Sequence, residues 1–126
     1  MKLLLDTHIF VWWDRQLRRV PADLRAAIED SANQVFVSAA SVWEIGIKRA
    51  TGKMQFAGQI VEVVERLAFE LLPVTGVHAE HAGALPRHHN DPFDRMLIAQ
   101  AYLERMTLAT RDRVLRRYDV PIIGIS

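Results

Sequence analysis

At 126 residues the chain is the size of one domain, long enough to bury about two thirds of the surface its unfolded form would expose. Half of it is hydrophobic and a quarter charged, which excludes a disordered tail, and no apolar stretch approaches the about 18 residues of a membrane-crossing helix. A net charge of +1 excludes a polycation that coats nucleic acid unaided, and the lack of cysteine excludes disulfides and thiolate metal sites, which fits a reducing compartment.

Residues 2–6 are expected to form a short strand, because the run Lys2-Leu3-Leu4-Leu5 is too brief for an independent helix and suits burial on both faces. Asp6 cuts off that run, so neither an anchor nor a signal peptide is expected and the chain reads as cytoplasmic. A helix follows through Trp12 and Trp13. Pro21 fits the first turn of a second helix, where its missing N–H costs nothing, with Leu24, Ala27 and Ile28 on the buried face. Residues 34–38 carry Val35, Phe36 and Val37, a second strand. Ser41 or a neighbour caps the next helix, which runs to Ala50 and stops near Gly52. Ile60, Val63, Val64 and Leu67 recur at helical spacing. Leu71, Leu72 and Val74 around Pro73 predict a strand at or near a sheet edge, since proline cannot donate within a ladder.

Residues 77–85 read as a short helix and 86–90 as a loop. Asp91-Pro92 then starts a helix, an acid able to cap followed by proline at the first helical position, and the helix should reach about Arg105. Residues 107–109 and 122–125 are the last two strands, separated by an arginine-rich helical turn over 112–118. Strands alternating with helices predict an α/β fold: a central, mostly parallel sheet of about five short strands with helices on both faces. Ligands of such sheets bind outside the carboxyl ends of the strands, and Asp6 and Asp112 stand at that end of two of them.

Four acids lie beside apolar segments. Asp6 and Asp112 each fit an ordinary helix cap. Asp94, three residues after Asp91, fits a first-turn acid favoured by the helix dipole, yet Leu97, Ile98 and Ala101 place it on the buried stripe. Glu44 fits an i to i+4 pair with Lys48, worth a few tenths of a kcal/mol, while Ala40 and Ile47 argue that it borders the core. As a set the four can converge on one cleft, where their repulsion calls for a hard cation that keeps places for water and a phosphate oxygen. Histidine offers competing chemistry: His78 and His81 have the spacing of some zinc pairs, and His88 and His89 lie near Asp91, but no cysteine or clear third ligand accompanies them. His89 is also placed to touch a substrate phosphate.

These segments carry a resemblance. Leu3-Leu4-Leu5-Asp6-Thr7-His8, the stretch 38–47 with Ser41, Val42, Trp43 and Glu44, the stretch His88-His89-Asn90-Asp91-Pro92-Phe93-Asp94-Arg95-Met96-Leu97-Ile98-Ala99-Gln100-Ala101, and Leu108-Ala109-Thr110-Arg111-Asp112 occur in an order that resembles a PIN domain, and within that family the VapC-type toxins of bacterial toxin–antitoxin pairs. The third stretch is the most specific. The resemblance covers residues 1–126 as one PIN-like ribonuclease domain. It implies an endoribonuclease dependent on Mg²⁺ or Mn²⁺, with Asp6 and Asp94 as direct metal ligands. Glu44 and Asp112 would each be a ligand, a water-mediated contact or the group orienting the attacking water. Thr110 would hydrogen-bond behind the ligands, and Asp91, inside the matching stretch, has the stronger claim as helix cap.

The resemblance further implies a VapB-like antitoxin that covers or enters the cleft, and a homodimer of toxin. Trp12, Trp13, Trp43 and Phe56 fit that groove, base stacking or the core. Arg15, Arg18, Arg19, Lys48, Arg49 and Lys53 are candidates for RNA phosphates, and a cluster of Arg111, Arg113, Arg116 and Arg117 follows the last strand-end acid region. Two other enzyme-like readings fit less well. A phosphoryl-receiver module wants a late lysine, but the only lysines are Lys2, Lys48 and Lys53. A haloacid-dehalogenase-like phosphatase wants an aspartate where His8 stands. A non-catalytic acidic cleft that receives basic peptides is the remaining alternative.

Overall fold

The computed structural model describes residues 1–125. Five parallel strands, β1 (Lys2–Leu5), β2 (Gln34–Ser38), β3 (Glu70–Leu72), β4 (Thr107–Ala109) and β5 (Ile122–Ile123), form one sheet in the order β3-β2-β1-β4-β5. The α/β expectation is met. Six helices surround it: α1 (Thr7–Arg15), α2 (Ala22–Glu29), α3 (Ala39–Ala50), α4 (Ile60–Arg66), α5 (Gly76–Ala84) and α6 (Pro92–Glu104), with short 3-10 turns at Leu17–Arg19 and Arg113–Arg117.

The central strand explains the two-layered core. Successive side chains of a strand point to opposite faces, so Leu3 and Leu5 join Ile9, Phe10, Leu24 and Ile45 on one side, while Leu4 joins Leu97, Ile98, Leu108 and Leu115 on the other. All three leucines of β1 are fully buried, each worth about 2 kcal/mol of transfer free energy. A polar residue in that run would therefore be costly on either face.

The chain lays β1, β2 and β3 outward in one direction, then returns across the sheet to place β4 on the other flank of β1. The strand order reverses between β1 and β4, and the carboxyl ends of these two strands border a crevice there. Leu5 pairs with Ala109, and the Asp6 amide donates to the Ala109 carbonyl at 2.9 Å, so the next residues along each strand, Asp6 and Thr110, come side by side.

Several boundaries differ from expectation for local reasons. Pro21 stands at the N-cap position just before the first turn of α2, and Ala27 is only partly buried beside Leu24 and Ile28. Ser38, three residues before Ser41, caps α3 by accepting from the Ala40 amide, which leaves Ser41 buried inside the helix, where its Oγ receives the Thr7 hydroxyl at 2.8 Å. β3 stops at Leu72, since Pro73 follows, and lies at the sheet edge as expected. β5 stops at Ile123 because Gly124 turns with a φ of +111°, and a Cβ there would stand 2.6 Å from the Thr110 carbonyl oxygen. No helix of the described residues is long and apolar enough to cross a membrane.

Candidate metal centre

Asp6 is both a cap and a site residue. One carboxylate oxygen accepts from the His8 amide at 3.0 Å and so starts α1, while the other accepts the Thr110 hydroxyl at 2.6 Å. Burial pushes its carboxyl pKa up, but the His8 side chain 3.8 Å away and the hydrogen bonds from Thr110 and the His8 amide outweigh that and hold it below the ordinary value. The Asp6 carboxylate beside it in turn raises the His8 pKa against the effect of burial. Thr110, fully buried, faces two ways: its hydroxyl also accepts from the Asp112 amide at 3.0 Å. Asp112 uses one oxygen to cap the following 3-10 turn through the Val114 amide at 3.0 Å, leaving Oδ2 for the cleft.

On α6, Asp91 caps by accepting from the Phe93 and Asp94 amides at 2.8 and 3.3 Å, as its helix-start reading requires. Asp94, one turn in, has a side chain only 17% exposed. Burial pushes its pKa up to about 7, the charges of Asp6, Asp91 and Glu44 push the same way, and His89 partly opposes them. His89 Nε2 stands 3.1 Å from both Asp94 Oδ2 and Asp112 Oδ2. The loop bearing it is fixed by Arg95, whose guanidinium donates to the carbonyls of Ala82, Leu85, Pro86 and His89. Tyr118 adds a second tie: its hydroxyl donates to the Pro86 carbonyl and accepts from the His89 amide.

Glu44 approaches from α3 and is 3% exposed. Lys48 donates to its Oε2 at 2.7 Å, and Glu44 Oε1 is buried without a partner. The Lys48 pKa is raised, first by that hydrogen bond and then, against burial, by the charges of Glu44, Asp91 and Asp94. The expected burial of Glu44 holds beside buried Ala40, but Ile47 is 39% exposed, so Glu44 is buried toward the acids and not along an apolar stripe.

Asp6, Asp94 and Asp112 line one cleft of about 360 Å³ together with His8, Ile9, Trp12, Arg19 and Arg111. His89, Asp94 and Asp112 offer atoms within 4.8 Å of one another among the described residues. Glu44 stands outside that tight group, coupled to Asp94 by charge. An acidic set with an orphaned buried oxygen fits a hard cation with oxygen ligands.

Other candidates separate. Arg19 lies on the cleft wall, its guanidinium 4.4 Å above the Trp12 ring and hydrogen-bonded to Gln16 at 3.0 Å. Arg49 instead holds the carbonyls of Phe56 and Gly58, and Phe56 is core. Trp12 and Trp13 pack partly against the core, whereas Trp43 is 66% exposed and meets Phe93 edge to face. His78 and His81 do not converge on a zinc site: His78 accepts from the Thr75 amide and pairs with Glu104, while His81 stacks on Tyr102. Sequence reasoning undervalued His89 and missed Arg95. The one available signal was the position of His89 two residues before a capping aspartate.

The PIN domain family model matches residues 3–121. The chain belongs to the PIN domain family. Among its relatives is Ribonuclease VapC22 of Mycobacterium tuberculosis, 31% identical over 122 residues, covering 94% of this chain and 93% of that protein. Similar folds occur in VapBC2 from Rickettsia felis, crystallised on a fragment of its promoter DNA, at a TM-score of 0.69 and 16% identity over 97% of both chains. They occur also in DNA-bound VapBC from Salmonella typhimurium, at 0.69 and 17% over 97% and 96%. The five-stranded parallel sheet is that of a PIN domain, and the four acids of this PIN domain all lie in or beside the crevice at the strand-order reversal.

Proposed function

We propose that this chain is a divalent-metal-dependent endoribonuclease and the toxin of a VapBC-like pair. The observation that carries the reading is the meeting of Asp6, Asp94 and Asp112 in one cleft at the carboxyl ends of β1 and β4, with buried Glu44 coupled to it. Its relative's name, Ribonuclease VapC22, supports the substrate class. Asp6 and Asp94 would hold Mg²⁺ or Mn²⁺ directly, and Glu44 and Asp112 would do so directly, through water, or by orienting the attacking water. Such an ion supplies an activated water and neutralises charge on the phosphate in an in-line displacement.

The chain's own residues do the rest. Thr110 locks the Asp6 carboxylate, Asp91 fixes the helix start that presents Asp94, and Arg19 lines the same cleft as the acids. Incubation of the purified protein with structured RNAs should give cleavage that requires Mg²⁺ or Mn²⁺ and stops with chelator. Cleavage that persists after exhaustive chelation would sink the reading. Arg19→Gln should raise KM about three- to tenfold with kcat little changed, and should flatten the salt dependence of RNA binding by roughly 0.7 in log–log slope for one lost phosphate contact. An unchanged slope would remove Arg19 from the RNA path.

The partner reading is a VapB-like antitoxin together with a homodimer of toxin, supported by the VapBC complexes that share the fold. A groove of about 380 Å³ lined by Ala39, Ala40, Trp43, Val74, Pro92, Phe93 and Met96 supplies apolar surface for a protein partner.

A further inference from the structure

His89 has the position of a metal ligand but the wrong proton. Its Nδ1 accepts the Asp91 amide hydrogen at 3.0 Å, so that nitrogen presents a lone pair inward and the neutral ring carries its proton on Nε2, the atom 3.1 Å from both Asp94 and Asp112. A histidine that binds a metal shows the opposite arrangement: the ligating nitrogen is bare and the other one donates to a carboxylate, carbonyl or water. Moving the proton to Nδ1, as ligation through Nε2 requires, would set an N–H against the Asp91 N–H, and turning the ring over would put a C–H where the acceptor now stands. The backbone on either side resists adjustment, because the His89 amide donates to the Tyr118 hydroxyl and its carbonyl receives Arg95.

We infer that His89 is a substrate contact, not a ligand: in the ion-free protein its Nε2–H donates to Asp112 with Asp94 3.1 Å away, and it donates to a non-bridging oxygen of the scissile phosphate when the carboxylates are engaged by a divalent ion. The inference rests on the proposed metal-dependent cleavage. It also accounts for the arrangement of the ion-free site, where an N–H that donates to one carboxylate and lies 3.1 Å from the other moderates the repulsion that a cation would otherwise relieve. A phosphate oxygen is the natural acceptor for that hydrogen once the carboxylates have turned to another partner, since it is anionic and must lie against the same acids during cleavage.

Two measurements test it. Long-range ¹H–¹⁵N spectra of the wild-type protein should show a protonated Nε2 and an accepting Nδ1 on His89, unchanged in protonation after Mg²⁺ is added; a bare Nε2 in the Mg²⁺-loaded protein overturns the inference. Calorimetric Mn²⁺ binding to His89→Gln and His89→Ala should be as tight as wild type or tighter, while kcat for RNA falls about 10- to 100-fold with KM changed far less. A tenfold or greater loss of Mn²⁺ affinity in both variants makes His89 a ligand and overturns it. If the wild-type protein binds neither ion and cuts no RNA, the parent reading falls and this one falls with it; if it does both, only the His89 results decide.

Discussion

Asp94→Asn should lose about 10³-fold or more in cleavage rate while the ion-free protein becomes more stable at neutral and higher pH. The two effects share one cause. A carboxyl whose pKa is about 7 in the folded protein and 3.8 when unfolded is held in its charged form at a cost, because burial and the charges of Asp6, Asp91 and Glu44 all oppose ionisation. Below 3.8 both states carry the proton and the group is neutral in its effect. Between 3.8 and about 7 the folded state keeps a proton the unfolded state has released, so stability falls as pH rises, and above about 7 the full penalty applies.

A shift of three units corresponds to about 4 kcal/mol, and partial exposure reduces what is realised to about 2–3 kcal/mol. Asparagine removes the charge and the penalty. Thermal unfolding at pH 5 and pH 8 should therefore show a smaller loss between the two for the variant than for the wild type. Mg²⁺ should raise the wild-type Tm at pH 8 and leave the variant nearly unmoved. An Asp94→Asn protein that is less stable than wild type at pH 8 without metal would show that Asp94 is not held against its neighbours' charge. Asp6 works in the opposite sense: its lowered pKa stabilises the fold above the ordinary aspartate value, and that contribution is lost as the pH falls.

Thr110→Val should be the most damaging conservative change in the site. Valine fills the same space but leaves the buried Asp6 Oδ2 without its 2.6 Å hydrogen bond and the Asp112 amide without its acceptor. One orphaned carboxylate oxygen and one orphaned amide cost about 2–4 kcal/mol together. For a domain of this size that corresponds to a fall in Tm of roughly 10 °C. The Asp6 pKa should also rise, since one of the hydrogen bonds that lowers it is gone. Cleavage should drop about 10- to 100-fold beyond what the loss of folded protein explains, as for other groups that orient metal ligands. Thr110→Ser keeps the hydroxyl and should recover most of both losses. Wild-type stability and cleavage in Thr110→Val would show that the hydroxyl bridge is incidental.

The parts of the site that could be read from the sequence are those governed by near neighbours. The leucine run before Asp6 is a strand because nothing else suits it, and Asp91-Pro92 starts a helix because both residues fit a helix end. The contacts that escaped are long-range. Asp6 and Thr110 are 104 residues apart, and they meet only because β4 returns to the far side of β1, a strand order that depends on how every helix packs. Capping and convergence are compatible in Asp6 and Asp112, since each caps with one oxygen and turns the other toward the site. Glu44 is buried as the helix neighbours Ala40 and Ile47 suggest, although Ile47 itself is 39% exposed and the pairing with Lys48 is also present. Arg95 gives no periodic signal because its partners are carbonyls at the end of α5 and in the loop that follows, whose directions the side-chain sequence does not encode.

The grip of Arg95 on four carbonyls bears on how quickly the centre can be filled. A segment with no ladder of its own is already fastened before any ion arrives, so loading need not wait for a loop to search for its shape, and the entropy of arranging that segment is met during folding. Entry of the proposed ion would then depend on the exchange of water around the cation and on parting Asp112 from His89. Filling and emptying the centre would become matters of solvent rearrangement within a standing frame.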